Sequence, residues 1–206
     1  MARAGELNDK TPRTERGRRT LRKLLDAAAT EFAERGFHDA SISGITRSAG
    51  VALGTFYTYF DSKDAIFRAL VSDMSAGVGK AAREALDPSM GALEVERVAL
   101  RAFLEFASEH KEIYRIIDEA EFVDPESYRA HYETIGARIE ERLKKGADSG
   151  EFLPGLGTPE AWALMGMNVF LGLRYVIWGR ERDPDFQEIA RRANAMLAAG
   201  IGGPAE

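Results

Sequence analysis

Residues 41–60, with the sequence SISGITRSAGVALGTFYTYF, decide the fold because they predict two short helices joined by a tight turn. The hydroxyl of Ser41 can accept the free amide hydrogens of a first helical turn, and Gly50 can supply the left-handed conformation that ends a helix. The second helix carries Phe56 and Phe60 one turn apart, facing inward. Two helices that cross at a glycine-containing turn form a helix-turn-helix, whose second helix enters the DNA major groove.

The outer face of the second helix, predicted over about residues 53–60, is rich in hydroxyl groups. Short hydroxyls and tyrosines near a helix start suit phosphate oxygens, base edges and thymine methyl groups. This face favours sequence-specific binding to double-stranded DNA over the alternative, a plain helical hairpin. The residues predicted to face DNA are Ser41, Ser43, Leu53, Gly54, Thr55, Tyr57, Thr58 and Tyr59.

Five short segments surround and include this motif: LLDAA at 24–28, FAERGF at 32–37, AGV at 49–51, GTFY at 54–57 and YFDSKD at 59–64. Through them, residues 21–70 resemble the DNA-binding domain of the TetR family of transcriptional repressors. The resemblance covers about the first third of the chain, and the rest is similar only in length and helical pattern. It implies that Lys63, at the start of the next helix, meets a DNA phosphate; otherwise Lys63 is an ordinary exposed lysine.

Two positions depart from the family pattern. Ala52 stands where a serine usually caps the recognition helix, and Gly44 replaces an acidic or polar residue in the preceding helix. Losing a hydroxyl cap costs about 1 kcal/mol, so we expect the recognition helix to be less rigid when it is free of DNA.

Composition limits the class of protein. With 206 residues and 45% apolar residues, the chain can bury a core as one medium domain or two small ones. It has no cysteine, which excludes disulfides and thiolate chemistry and predicts a cytoplasmic protein. The basic N-terminus lacks the apolar segment of a secretory signal. Although the net charge is −5, residues 1–70 hold twelve Lys or Arg against nine Asp or Glu, so the acidity lies in the remainder.

We predict an all-α fold of about nine helices. Residues 1–19 are predicted to form a flexible basic arm, residues 20–64 the helix-turn-helix domain, and residues 65–206 a ligand-binding and dimerisation domain. The arginines near the end of the arm suit phosphates or the minor groove, and a solvated tail is the alternative. They are Arg13, Arg16, Arg18 and Arg19.

Capping residues predict the helix boundaries. The first helix is expected from about Thr20 to Arg35, ended by Gly36, and the fourth from Ser62 to about Leu86. Three later helices are predicted to start with a capping residue, a proline and an acid. These starts are Asp124-Pro125-Glu126, Thr158-Pro159-Glu160 and Asp183-Pro184-Asp185.

The eighth helix, predicted over residues 161–178, is apolar nearly all round. Asn168 and Arg174 interrupt it, and an arginine at a bilayer centre costs about 2.5–3.5 kcal/mol, so we reject a membrane span. A helix covered by its own domain on one side and by a partner subunit on the other explains the pattern better. We therefore predict a homodimer and an inverted-repeat operator. The predicted interface patch is Met167, Leu171, Trp178, Ile189 and Met196.

Helices five to eight carry more large apolar side chains with polar tips than a minimal bundle needs. This indicates a pocket for a small-molecule effector, although each residue could equally fill the core. Arg174 lies in the apolar helix, where a partly buried guanidinium needs an acidic partner or a ligand anion. The predicted ligand-binding residues are Phe103, Phe106, Tyr114, Ile117, Phe122, Tyr128, Tyr132, Trp162, Met165, Phe170 and Arg174.

The family resemblance also implies a mechanism. A small molecule would bind the second domain and move the fourth helix, so that the two recognition helices are respaced and DNA is released. Residues 113–125 are similar to a stretch found in regulators of fatty-acid or aromatic-acid breakdown, which makes an acyl-CoA thioester the leading effector. A hydrophobic drug or aromatic metabolite, with control of an efflux pump, is the alternative.

Catalysis receives little support from the sequence. The three histidines, His38, His110 and His131, show neither a Ser-His-Asp order nor a His-x-x-x-His spacing. We expect no enzymatic activity, no cofactor and no metal site, and an enzyme of unknown type is the alternative.

Overall fold

The computed structural model describes residue 10 and residues 12–179 and 184–201. Within these residues the fold is all-α, as predicted, with nine α-helices and no strand. The helices are α1 (Glu15–Asp39), α2 (Ile42–Ala49), α3 (Leu53–Tyr59), α4 (Lys63–Ala85), α5 (Ala92–Glu109), α6 (Glu112–Val123), α7 (Pro125–Asp148), α8 (Thr158–Gly172) and α9 (Phe186–Ile201). A π-helical segment, Leu173–Ile177, continues directly from α8.

The boundaries predicted for α2 are confirmed. The Ser41 hydroxyl accepts the Gly44 amide hydrogen at 3.0 Å, and Gly50 is left-handed with φ of 66°. The Val51 amide then donates back to the Thr46 carbonyl at 3.0 Å, which closes the end of the helix. The turn between α2 and α3 is therefore fixed by backbone geometry as well as by packing.

The first helix begins earlier than predicted. The Thr14 hydroxyl accepts the Gly17 amide hydrogen at 3.1 Å, and Glu15 pairs with Arg18 and Arg19 within the first turns. The prediction of a flexible arm through residue 19 is thus wrong from Glu15 onward, because a cap and ion pairs extend the helix where apolar periodicity is absent. The rest of the predicted arm lies largely outside the described residues.

Gly36 breaks α1 near its end. Its backbone has φ of 77° and ψ of 164°, a conformation that an L side chain would strain. Phe37 folds back so that its ring centre stacks 5.8 Å from that of Phe32, and it also packs against Phe67 of α4. The break therefore lets the end of α1 and the start of α4 share one core.

The fourth helix connects the two halves of the molecule. It starts at a cap in which the Ser62 hydroxyl accepts the Ala65 amide hydrogen at 3.1 Å, as predicted. Its buried side chains join one core with those of α1, α3 and α6. Further along, Arg22 of α1 lies 2.7 Å from Asp73 of α4, so the helix is held to the first domain over several turns.

Two of the three predicted proline-led starts differ in detail. Thr158 is already helical, and the Gly157 amide hydrogen is accepted by Glu160 at 2.8 Å, so the cap precedes the predicted one. At α9 the Asp185 carboxylate accepts the Glu188 amide hydrogen at 2.9 Å, which makes Asp185 the cap. The predicted cap Asp183 lies outside the described residues. The third start is confirmed, with Pro125 opening α7.

Across the described residues, none of the helices is both long and apolar enough to cross a bilayer.

Candidate DNA-binding surface and effector cavity

The outer face of α3 is open to solvent. Leu53 is 51% exposed and Tyr57 is 49% exposed, Thr58 is exposed, and no neighbouring side chain approaches Gly54. Thr55 is half-buried on the same short helix. Leu53 and Gly54 lie one helical turn from Tyr57 and Thr58, so these exposed residues form one surface that a duplex could reach.

The serines at the start of α2 are also exposed. The hydroxyls of Ser41 and Ser43 lie 3.2 Å apart, and Ser41 additionally caps the helix. Ser41 is thus partly committed to the fold, whereas Ser43 keeps hydrogen-bonding capacity toward solvent.

The inner face of α3 holds the helix in place. Phe56 is completely buried and Phe60 is 8% exposed, with ring centroids 5.7 Å apart. Tyr59 is half-buried against the same core and is better described as a packing residue than as an exposed contact. One buried aromatic anchor within α3 and a second directly after it fix which face of the recognition helix is presented.

Each end of α3 is held differently. At the N-terminus Ala52 supplies no side-chain cap, and only its carbonyl is used, by the Thr55 amide at 2.9 Å. At the C-terminus the Lys10 ammonium donates to the Tyr57 carbonyl at 3.0 Å and pairs with Asp61 at 2.5 Å. A cation at a helix C-terminus is favourable, so the segment preceding α1 supports the recognition helix.

Lys63 lies at the start of α4, as expected, and its ammonium is hydrogen-bonded within the protein. Its ammonium donates to the carbonyls of Phe37, His38 and Ala40 at 2.6, 3.0 and 2.9 Å, and it lies 4.6 Å from the centre of the Phe37 ring. An ammonium has three donors, and all three are used. In this conformation Lys63 ties the end of α1 to the start of α4 and has no donor left for a phosphate.

The packing of α2 on α1 explains why residue 44 is a glycine, which the sequence alone did not reveal. A Cβ at this position would overlap the carboxylate of Glu31, which is 8% exposed. Glu31 accepts the Ser41 amide hydrogen at 3.3 Å and pairs with Arg35 at 3.4 Å. The absence of a side chain at Gly44 therefore makes room for the carboxylate that joins α1 to the start of α2.

Several predicted ligand-binding residues face solvent instead of a pocket. Phe122 is 83% exposed, Phe170 is 66% exposed and Trp162 is 44% exposed, so these predictions are wrong. Arg174 is exposed too, with its guanidinium 5.2 Å from the Tyr175 ring centre, and the inference that it is partly buried is also wrong. The π-helical segment explains this residue, because it changes the direction in which side chains point relative to a continuous α-helix.

The remaining predicted residues are divided among several environments. Ile117 is a core residue at 3% exposure, and the Tyr114 hydroxyl donates to the Val169 carbonyl at 3.1 Å, with burial raising the tyrosine pKa. Tyr128 and Tyr132 pack edge to face at 5.0 Å. Phe106 lines an open cleft of about 1330 Å³ between α1, α4 and α5, whose walls mix charged and apolar side chains.

Phe103 and Met165 line a smaller cavity of about 70 Å³ between α4, α5, α7 and α8. Its other walls are mainly apolar, but the polar side chains of Arg138, Arg142 and Asn168 also reach it. The sequence prediction missed these three. Asn168 was visible as an interruption of an apolar helix, whereas Arg138 and Arg142 lie on a helix so rich in charge that neither stands out.

The comparisons with known proteins agree with this architecture. Residues 24–70 match the family model described as bacterial regulatory proteins, tetR family. In this segment the chain is similar to the TetR family. Its helix-turn-helix is the part that the family model covers, from within α1 to the first turns of α4.

Relatives of this chain differ in how much of it they cover. YdgC of Bacillus subtilis, an uncharacterized HTH-type transcriptional regulator, is 35% identical over 116 residues, which are 54% of this chain and 58% of YdgC. The chain thus spans little more than half the length of this relative. YhgD of the same organism, of the same description, is 25% identical over 183 residues, covering 86% of this chain and 94% of its own.

A solved structure of similar fold is the transcriptional regulator FadR from Bacillus subtilis in complex with stearoyl-CoA. It superposes with a TM-score of 0.75, covers 87% of this chain and 98% of its own, and is 20% identical. At that identity the likeness establishes the shared fold.

Helix α6 contacts the broken end of α1. The Glu119 carboxylate accepts the Phe37 amide hydrogen at 2.6 Å, and the Arg115 guanidinium donates to the Ala33 carbonyl. Because α6 belongs to the second half of the chain, these contacts join the two halves at the same turn that Lys63 holds from the other side.

Proposed function

We propose that this protein is a ligand-responsive, sequence-specific DNA-binding transcriptional repressor. The observation that carries the proposal is the two-faced α3, in which Phe56 and Phe60 anchor the inner side and Tyr57 and Thr58 stand exposed on the outer side. A short helix fixed in this way can enter a major groove without rearranging its own core. The match of residues 24–70 to the TetR family model supports the same conclusion.

The proposed working unit is a homodimer on an inverted-repeat operator. One recognition helix contacts too few base pairs to stand out against non-specific DNA, and a two-fold axis supplies a second. The exposed apolar side chains that support an interface lie on α8, the π-helical segment and α9. They are Trp162 and Phe170, Ile177 and Trp178, and Met196.

This interface differs from the patch that the sequence predicts. Trp178 and Met196 are exposed, as the patch requires. Met167, Leu171 and Ile189 instead pack partly against apolar cores of their own chain. Gly166 lies one turn from both Trp162 and Phe170 and has open space where a side chain would be, so a partner helix could approach closely there.

The proposed effector is a small molecule bound in the second domain, and an acyl-CoA thioester is the first class to test. The bound stearoyl-CoA in the FadR structure of similar fold supports this choice. A hydrophobic or aromatic compound, with control of an efflux gene, is the second class. In either case ligand binding would act on DNA binding through α4. This helix lines the cavity, and its first residue, Lys63, is hydrogen-bonded to the end of α1.

The DNA-binding part is tested by selecting operators from a random duplex library and measuring affinity for the selected sequence. Tyr57→Ala and Thr58→Ala should weaken binding, by about 5- to 150-fold for a side chain that makes a real base contact. Thr134→Ala is the matched control, because Thr134 is an exposed threonine on α7. The proposal would be contradicted if the protein enriched no sequence from the library, or if both α3 variants bound the selected operator with the affinity of the wild type.

A further inference from the structure

The cavity between α4, α5, α7 and α8 contains two polar atoms without a partner. Nη1 of Arg138 and Oδ1 of Asn168 are both buried, and neither has a hydrogen-bond partner among the described residues. Buried polar atoms are normally paired, and an unpaired buried guanidinium nitrogen is costly. Both residues line the same cavity, and Nη1 of Arg138, the donor of the two, gives an acceptor a defined place there.

The charges around Arg138 leave the cavity positive. Burial and then the positive charges of Arg83 and Arg142 lower the pKa of Arg138. Arg142 is already neutralised, because its guanidinium makes two bonds, at 2.6 and 2.9 Å, to Glu96, which is 4% exposed. Both carboxylate oxygens of Glu96 are therefore used by Arg142, and Arg138 remains without a bound acid in this structure.

The backbone of α4 makes room for the guanidinium. A Cβ at Gly79 would overlap Nη1 of Arg138, so the glycine lets the guanidinium lie this close to the helix. Gly79 is itself buried and lines the cavity. The arginine is thus seated against the helix that links this domain to the recognition helix.

We propose that this cavity binds a small carboxylate, with its anionic oxygens on Arg138 and its short apolar part against Phe103 and Met165. An Arg guanidinium pairs with a carboxylate through charge-assisted bonds, and it is the group best suited to do so in a partly buried site. The volume of about 70 Å³ is less than half of the roughly 150 Å³ that accommodates benzene, which favours a short chain.

The proposed carboxylate site specifies the chemical class of the effector. It rests on the proposed function only for the effect that ligand binding has on DNA binding. Pairing Arg138 with an anion would change the electrostatics directly at Gly79 of α4. Binding itself can be measured without DNA, so its failure and the failure of operator recognition are separate results.

The test is a thermal-shift titration of the full chain with butyrate, with neutral butyramide as the matched probe, at constant ionic strength. Butyrate should raise Tm in a concentration-dependent way, because a ligand that binds only the folded state stabilises it, and butyramide should not. Arg138→Met should weaken butyrate binding at least about tenfold, the loss expected for a charge-assisted pair. Arg129→Met, which changes an exposed arginine of the same helix, should leave binding unchanged.

The Arg138→Met variant has a second expected property that separates loss of binding from loss of fold. Removing an unpaired, partly buried charge should raise the Tm of the ligand-free protein. The proposal is overturned if butyrate and butyramide act alike, if Arg138→Met binds butyrate as the wild type does, or if butyryl-CoA alone stabilises the protein.

Discussion

At the scale of single residues, His131 shows how burial changes the chemistry of a side chain. It is 7% exposed, and its Nδ1 lies 2.5 Å from the Ser75 hydroxyl of α4. Burial, and then the positive charge of Arg138, lower its pKa to about 4, compared with 6.5 for an unperturbed histidine. The folded protein therefore holds His131 neutral throughout the physiological range.

This pKa predicts acid sensitivity. Between pH 6.5 and about 4 the unfolded chain binds the proton and the folded chain does not, so the stability is complete above pH 6.5 and is lost as the pH falls. Going from pH 7 to pH 5 should cost about 2 kcal/mol through this residue. Urea unfolding at both pH values measures it, and the loss should shrink in His131→Gln.

His110→Gln is the control for that experiment, because the side chain of His110 is 48% exposed. It should lose as much stability at pH 5 as the wild type does. A loss as large in His131→Gln as in the wild type would show that other groups carry the acid sensitivity.

Sequence reasoning at this scale identified the unusual residue at Gly44 but not its cause. The carboxylate that needs the space belongs to Glu31, in a different helix, and only the packing of α1 on α2 brings the two together. The exposure of Phe122 was unpredictable for a similar reason, because apolar character alone does not tell whether a helix face is covered.

At the scale of helices, capping chemistry was the most informative signal. Ser41, Gly50 and Ser62 predicted their boundaries because caps act within one turn of the chain. The π-helical segment after α8 was not predicted, since its apolar sequence fits an α-helix equally well. That one change of register displaced Arg174 from its expected environment.

The turn from Phe37 to Ala40 is where three helices meet, and it carries the second prediction. Lys63→Met removes three bonds to carbonyl oxygens, which should lower the free energy of unfolding by about 2 kcal/mol. Lys80→Met is the matched control on α4, because Lys80 is exposed and makes only a 3.6 Å pair with Glu84. The control should stay within about 0.5 kcal/mol of the wild type.

Lys63→Met also distinguishes a structural role, in which Lys63 binds backbone carbonyls, from a role in binding a DNA phosphate. A lost phosphate contact lowers the salt dependence of DNA binding by about one unit of slope. We expect the slope of folded Lys63→Met to match that of the wild type. A lowered slope with unchanged stability would instead assign Lys63 to the DNA.

At the scale of the whole molecule, charge and apolar surface are separated along the chain. Lys and Arg exceed Asp and Glu only in residues 1–70, where α3 presents its open face, whereas the acidic remainder carries exposed aromatic side chains on α8 and beyond. The sequence predicted this separation, because charge and composition need no tertiary structure. It did not predict which apolar residues stay exposed, since that depends on how α9 covers α5 and the π-helical segment.

The third prediction concerns the dimer. Phe170 is 66% exposed on the outer face of α8, and a carboxylate placed there would be buried unpaired if a second copy covers that face. Phe170→Glu should therefore give a species of one chain mass, 22.7 kDa, in light scattering coupled to size exclusion, where the wild type gives twice that mass. Phe122→Glu is a closely matched control, because Phe122 is a phenylalanine that is 83% exposed on α6. It should remain dimeric.

Operator binding should follow the oligomeric state. A monomer presents one recognition helix and loses the second half-site, so Phe170→Glu should bind the selected inverted repeat far more weakly, while Phe122→Glu should bind as the wild type does. Circular dichroism at the same concentration checks that both variants keep their helices. A wild-type mass of one chain at micromolar concentration would contradict the dimer, and an operator without two-fold symmetry would contradict the geometry that the dimer imposes.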